Sequence, residues 1–284
     1  GGFQWRSNFV FSLNRNKVLK LDTESATIDK TFMTGSENNT VTRTVEGKPV
    51  GQFWGYKVIG RFDKPEDFWY KDANGNVKPV ALPEGASIAT SPTSGGVFIG
   101  DYIYEDVNGD GKISADDRTN IGNGTPKWTF GFNLGAEWKG FDFNLFLQGV
   151  TGNKVFDATY RTDVYSGNFP SWMLSRWTGE GTSNKYPILK AGDATNWQVS
   201  DLYICDGSYL RVKNISLGYT LPKNLTQKLS ISCLRFYVMA ENLITWTKYW
   251  GFDPEISSGG TSLGVDRGIY PQARTYTIGF NLSF

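Results

Sequence analysis

The run Trp128–Trp138, WTFGFNLGAEW, alternates without a fault. Its even positions hold Trp128, Phe130, Phe132, Leu134, Ala136 and Trp138, whereas the odd positions hold Thr129, Gly131, Asn133, Gly135 and Glu137. A period of two puts each set on its own side of an extended chain, so one face of this strand is wholly apolar and the other is polar or bare. After Lys139 and Gly140 the pattern resumes, with Phe141, Phe143, Leu145 and Leu147 on one face and Asp142, Asn144, Phe146 and Gln148 on the other. A two-residue connection between such runs reads as a β-hairpin. The last residues repeat the design: Tyr276, Ile278, Phe280, Leu282 and Phe284 alternate with Thr275, Thr277, Gly279, Asn281 and Ser283.

A fourth copy is FQWRSNFVFSL, through Phe3, Trp5, Phe9, Phe11 and Leu13, interrupted at Ser7. Three weaker ones are GQFWGYKVIGRF, SYLRVKNISLGYTL and LRFYVMAENLITW, the second slipping phase near Asn214 as a β-bulge would make it do. Helical periodicity is nearly absent, so the chain is all-β with about seven strands. The alternating runs reach about ten residues, the length that crosses a bilayer at a tilt, where soluble strands have about five or six. Aromatic residues bracket them, Trp128 and Trp138 on one, Tyr276 and Phe284 on another, as in the girdles of membrane barrels.

The connections divide into long and short. Stretches 63–125, 151–207 and 247–272 are long and rich in Gly, Asp, Asn and aromatic residues, while 139–140 and 222–232 are short. That asymmetry belongs to outer-membrane barrels, with long loops outside and short turns in the periplasm. Parity over seven strands also makes 14–50 periplasmic, which is long for such a turn; an additional strand pair around NTVTRTV would relieve this. Seven strands do not close a bacterial barrel, whose strand number is even and whose ladder leaves no free edge in lipid, so further strands are expected from elsewhere. A soluble sandwich or a secreted, calcium-stabilised adhesin or glycan-binding module also shows two-faced strands; apolar faces turned outward mark the barrel, inward the module.

The sequence DVNGDGKISADD, Asp106 to Asp117, has the spacing of a calcium loop. Asp106 stands at position 1, Asn108 at 3, Asp110 at 5, Gly111 at 6, Lys112 at 7 through its carbonyl, and Asp117 at 12. A hard cation takes several oxygens at once, which short side chains at alternate positions of a tight coil supply. Ile113 is the apolar anchor beneath it. The competing reading is a solvated turn, since Asp, Asn and Gly dominate turns. A bound Ca²⁺ here would be structural, a clip on the segment 100–120.

The chain contains no His, which removes the commonest general base and metal ligand, and no pair of carboxylates has the spacing of a glycosidase. No catalytic residue is expected. Twenty-nine Lys and Arg against 28 Asp and Glu leave no basic excess for nucleic acid. Two cysteines, Cys205 and Cys233, carry no metal or redox spacing. Trp172 and Trp177 would either stack on sugar rings or pack within their loop.

Five stretches together resemble the C-terminal part of the SusC/RagA-like TonB-dependent transporters of Bacteroidetes outer membranes. They are GKPVGQFWGYKVIGRF, GDYIYEDVNGDGKISADDRTNIGNGTPKWTFGFN, YLRVKNISLGYTLP, FYVMAENLITWTKYWGFDPE and the aromatic terminus at Phe284. The resemblance implies a 22-stranded barrel with an N-terminal plug, importing oligosaccharides or peptides under the pull of the TonB complex. It further implies a SusD-like lipoprotein lid, outer-membrane lipid around the wall, and plug and earlier strands supplied by an N-terminal segment outside residues 1–284. The strand carrying Tyr276, Ile278, Phe280, Leu282 and Phe284 is then the signal read by the barrel-insertion machinery.

Overall fold

The computed structural model describes residues 2–23, 26–33, 38–159, 169, 171–183, 185–190, 195–256 and 259–284. Six long strands form one antiparallel sheet in chain order: β1 (Gln4–Leu13), β2 (Trp128–Trp138), β3 (Phe141–Thr151), β4 (Tyr209–Thr220), β5 (Cys233–Glu241) and β6 (Thr275–Ser283). A short seventh piece, Thr245–Thr247, continues the line of β5 along the start of β4. The break between them faces a bulge, for the register slips where Phe146 pairs with Asn214 and Leu147 with Val212, leaving Lys213 over. This is the phase slip expected near Asn214.

The register turns the alternation of single strands into continuous faces. Trp5, Ala136, Phe143, Leu217, Val238 and Ile278 stand side by side across the sheet, and Trp138, Phe141, Tyr219, Phe236 and Phe280 make the next row. On the opposite face one row reads Arg6, Gly135, Asn144, Ser216, Met239 and Thr277. The apolar rows stay bare: Ile278 is 86% exposed, and none of the four buried apolar clusters takes a residue from the wall strands. Side chains of a soluble sandwich would be packed between sheets here. An 11-residue strand such as β2 reaches about 25 Å in height at a tilt near 45°, which matches the apolar band of a membrane barrel.

At the short-turn end, Lys139 and Gly140 both have positive φ, 48° and 86°, the conformation a two-residue hairpin requires. A Cβ on Gly140 would also lie 2.7 Å from the Thr220 carbonyl oxygen. At the other end, the described residues of segments 14–127, 152–208 and 248–274 fold together into a head. Its largest core gathers Val41 and Phe53 from the first, Phe156, Trp197 and Tyr203 from the second, and Val265 from the third.

The run Gln52–Phe62 belongs to this head and not to the wall. Gln52–Gly55 pairs with Thr119–Asn123 and with Asn38–Thr44, while Val58–Arg61 pairs with Tyr102–Tyr104. Two pieces of four residues each are too short to span a membrane, and Gln52, Phe53 and Gly55 are buried whichever face they occupy. A Cβ on Gly55 would come within 2.4 Å of the Val199 carbonyl oxygen, so that strand lies against another backbone. With this run removed from the wall, parity changes, and 14–50 joins the long-loop end instead of the periplasm. The strand suspected around NTVTRTV exists, as Asn38–Thr44, in the head sheet.

The outward face yields a quantitative expectation. Phe132→Arg should destabilise the barrel by about 2 to 4 kcal/mol, as for a basic side chain at the bilayer midplane, whereas Asn133→Arg on the other face should cost far less. Urea titration of the intact receptor refolded in liposomes measures both; equal costs would mean the faces are assigned wrongly.

Candidate functional site

The acidic loop is coiled by its own side chains. Asp106 accepts hydrogen bonds from the amides of Gly109 and Asp110 through Oδ1 and from Gly111 through Oδ2, at 2.7 to 3.2 Å. Asn108 Oδ1 accepts from Asp110, and Asp110 Oδ1 from Lys112, so each position cited as a ligand also sets the next turn. Gly109 and Gly111 have φ of 76° and 85°, which the coil demands and which glycine alone adopts without strain. Lys112–Ile113 then pairs in parallel with Leu82–Pro83, the Lys112 ammonium reaches Glu84 at 2.6 Å, and Ile113 is buried with Tyr102 and Tyr104. Ile113 is thus the anchor the spacing calls for.

Asp117 closes the loop. It is 0% exposed; Oδ1 accepts from Val107 and Asn108, and Oδ2 from Ser114, whose own hydroxyl caps the short 3₁₀ turn Ala115–Asp117. Burial works to raise the Asp117 carboxyl, but the amides of Ser114, Asn108 and Val107 outweigh it and hold the group below the ordinary carboxylate range. Among the described residues no three His, Cys, Asp or Glu side chains gather as a metal cluster. A cation in this loop would therefore depend on the Asn108 amide and the Lys112 carbonyl as well as on carboxylates, the donor set that the spacing assigned.

The tryptophans of the second long loop, a stretch from Asn168 to Gly181 of which Asn168 and Pro170 lie outside the described residues, pack within the head. Trp177 is buried and its indole N–H donates to Asp63 Oδ1 at 2.7 Å, while Trp172 stacks on Tyr186 with centroids 4.7 Å apart. Cys205 and Cys233 are both free thiols.

Two arrangements escaped the reading of the sequence. Arg211, on the polar face of β4, donates to Asp253 at 2.6 Å and to Glu255 at 2.7 Å, and Lys213 adds a second bond to Glu255 at 2.7 Å. This ties the third long loop over the polar side of the wall, which fixes that side as the interior. The signal was an arginine in phase with inward positions, Tyr209 and Arg211, and two acids flanking a proline in FDPE. The second is a bidentate pair across the lumen face: Arg235 donates to both oxygens of Asp142 at 2.8 and 2.5 Å, over the bare backbone of Gly218. A Cβ there would sit 2.4 Å from the guanidinium and 2.5 Å from the carboxylate, so the glycine is what lets two strands pair charges over a third.

No family model matches the chain. It is 33% identical, over 99% of its length, to TonB-dependent receptor P3 of Formosa agariphila, of which it covers 27%. TonB-dependent receptor SusC of Bacteroides thetaiotaomicron is 27% identical, again over 99% of this chain and 24% of the relative. The solved RagAB peptide transporter superposes with a TM-score of 0.70 at 28% identity, covering 99% of this chain and 27% of that one. The chain thus spans about a quarter of the length of the relatives it matches. A two-faced wall without a core, a head folded over its polar side and relatives of one kind from end to end agree, and the chain belongs to the SusC/RagA-like TonB-dependent receptors of the bacterial outer membrane, of whose larger barrel it forms a part.

Proposed function

We propose that this chain supplies part of the wall and outer mouth of an active importer that takes up glycans or peptides, doing no covalent chemistry itself. The outward apolar rows carry this reading, because they suit lipid and leave a polar channel face on the other side. Those rows count against a secreted adhesin or glycan-binding module, which would bury them. SusC and the RagAB peptide transporter support import, and a SusD-like lipoprotein lid, a plug-bearing N-terminal segment and the TonB complex are the partners this reading requires. Radiolabelled oligosaccharide and oligopeptide uptake by cells carrying or lacking the intact receptor, with and without the TonB complex, is the test. Uptake indifferent to the receptor would sink it.

In this reading the acidic loop holds Ca²⁺ through Asp106, Asn108, Asp110, the Lys112 carbonyl and Asp117, as a structural clip on segment 100–120. The support is that Asp106, Asn108 and Asp110 shape the coil through their own side chains, and an affinity near ~0.1 to 1 mM would keep the site filled outside the cell. Asp110→Ala should make 100–120 more sensitive to protease and abolish the protection that calcium gives over a chelator, while the barrel still resists heat in detergent gels. Unchanged cleavage with calcium, with chelator and in the variant would remove the ion from the account.

The strand of Tyr276, Ile278, Phe280, Leu282 and Phe284 is proposed as the assembly signal. Tyr276, Ile278, Phe280 and Leu282 share the apolar side of β6, with Phe284 directly after it, where an insertion machine in the membrane would meet them. Deleting Phe284 should lower the amount of receptor in the outer membrane several-fold while the receptor that does insert imports normally. Quantitative blotting of membrane fractions checks this, and undiminished insertion would refute it.

A further inference from the structure

A cleft of about 600 Å³ opens in the head between the Val58–Arg61 strand and the loops carrying Lys185, Asp201 and Trp250. Val58, Ile59 and Leu202 contribute apolar side chains to its lining. Two cations line it with unused donors. The Arg61 side chain is only 8% exposed, yet among the described residues its guanidinium makes one hydrogen bond, to Asp63 at 3.1 Å, and its buried Nε meets no partner. Lys185 has its ammonium 5.1 Å from the Tyr186 ring centroid and 5.2 Å from that of Trp250, with no carboxylate paired to it among the described residues.

The acids of the cleft are, by contrast, largely used. Asp63 accepts from Arg61, from the Trp177 indole at 2.7 Å and from the Gly181 amide at 2.9 Å. Asp201 Oδ1 takes the Val58 amide at 3.0 Å, and burial pushes its carboxyl up, toward the neutral form. A guanidinium has five donors in a planar fork, and one that keeps most of them unpaired in a buried setting is matched by a planar anion. An ammonium held near two aromatic rings keeps its charge free to meet the same anion.

From this imbalance of spare donors over spare acceptors we infer that the cleft is a subsite for a carboxylate carried by the cargo, held between Arg61 and Lys185 with the apolar lining against its neighbouring carbons. The inference rests on the import reading and narrows its cargo to acidic members, either peptides with a free carboxylate or uronic-acid oligosaccharides. Trp250 would give the flat contact that either a sugar ring or a peptide plane accepts.

Calorimetry on the intact receptor distinguishes these. The probes are one oligopeptide as its C-terminal acid and as its amide, and one oligogalacturonate with its methyl ester. In the native receptor one acid should bind about tenfold or more tightly than its neutral counterpart, and the pair that shows the difference names the source of the carboxylate. Arg61→Gln and Lys185→Gln should each erase most of that preference while leaving the neutral counterpart's affinity nearly as it was. Lys185 is exposed, so its variant keeps the test alive should Arg61→Gln disturb the head. Equal binding of acid and neutral forms in the native receptor, or a preference that survives both substitutions, overturns the subsite. A receptor that imports acidic cargo normally with both substitutions in place leaves the import reading standing and the subsite refuted; a native receptor that imports nothing defeats both.

Discussion

A backbone amide in hydrocarbon has no water to turn to, and every other property of the wall follows from that. Satisfying the amides of β2 takes a neighbour along its whole length on each side, and β1 and β3 supply ten and eleven registered partners. Once strands are locked edge to edge, side chains have two directions only. Parity then sorts them into a lipid face and a channel face, so a single residue's slip would exchange the two. The one slip present, at Lys213, falls near the head, where β5 is interrupted as well and the chain is leaving the apolar band. The described wall ends in two unpaired edges, β1 and β6, which the larger barrel of the relatives would occupy.

Inside, the same geometry controls where charge is tolerated. Asp142 and Arg235 sit on strands separated by β4 and reach each other because Gly218 has no side chain between them. Gly279 plays the same part for the ring of Tyr237, whose atoms would lie 2.6 Å from an added Cβ. Gly218 and Gly279 on the polar face thus make room for larger neighbours.

How much of this the sequence revealed depended on the range of the interactions. The wall strands were legible because alternation is written into neighbouring residues; even the bulge left a phase slip at Asn214. The acidic loop was legible too, since its hydrogen bonds from Asp106 reach only three to five residues ahead. The head was not. The Thr42 hydroxyl bonds to the Thr261 carbonyl across 219 residues, and Val41, Phe53 and Val265 share a core that no local pattern announces. The run Gly51–Phe62 misled for that reason: its aromatics suit a membrane strand equally well, and only the burial of neighbouring Gln52, Phe53 and Gly55 reveals the head sheet. The Arg61 cleft, assembled from segments over a hundred residues apart, was likewise out of reach.

That shared core also sets an order of events in biogenesis. The head draws one side from residues 41 to 53 and another from 261 to 265, and between them lie four of the six wall strands. No part of it spanning those segments closes until the intervening hairpins have come into register, because its contacts are among the most distant in the chain and reward closure last. The part of the core that Val41 and Phe53 share with Val265 is therefore incomplete without the segment that leads into β6. A change in the chain just before β6 is thus felt in a core whose other side lies more than two hundred residues earlier in the sequence.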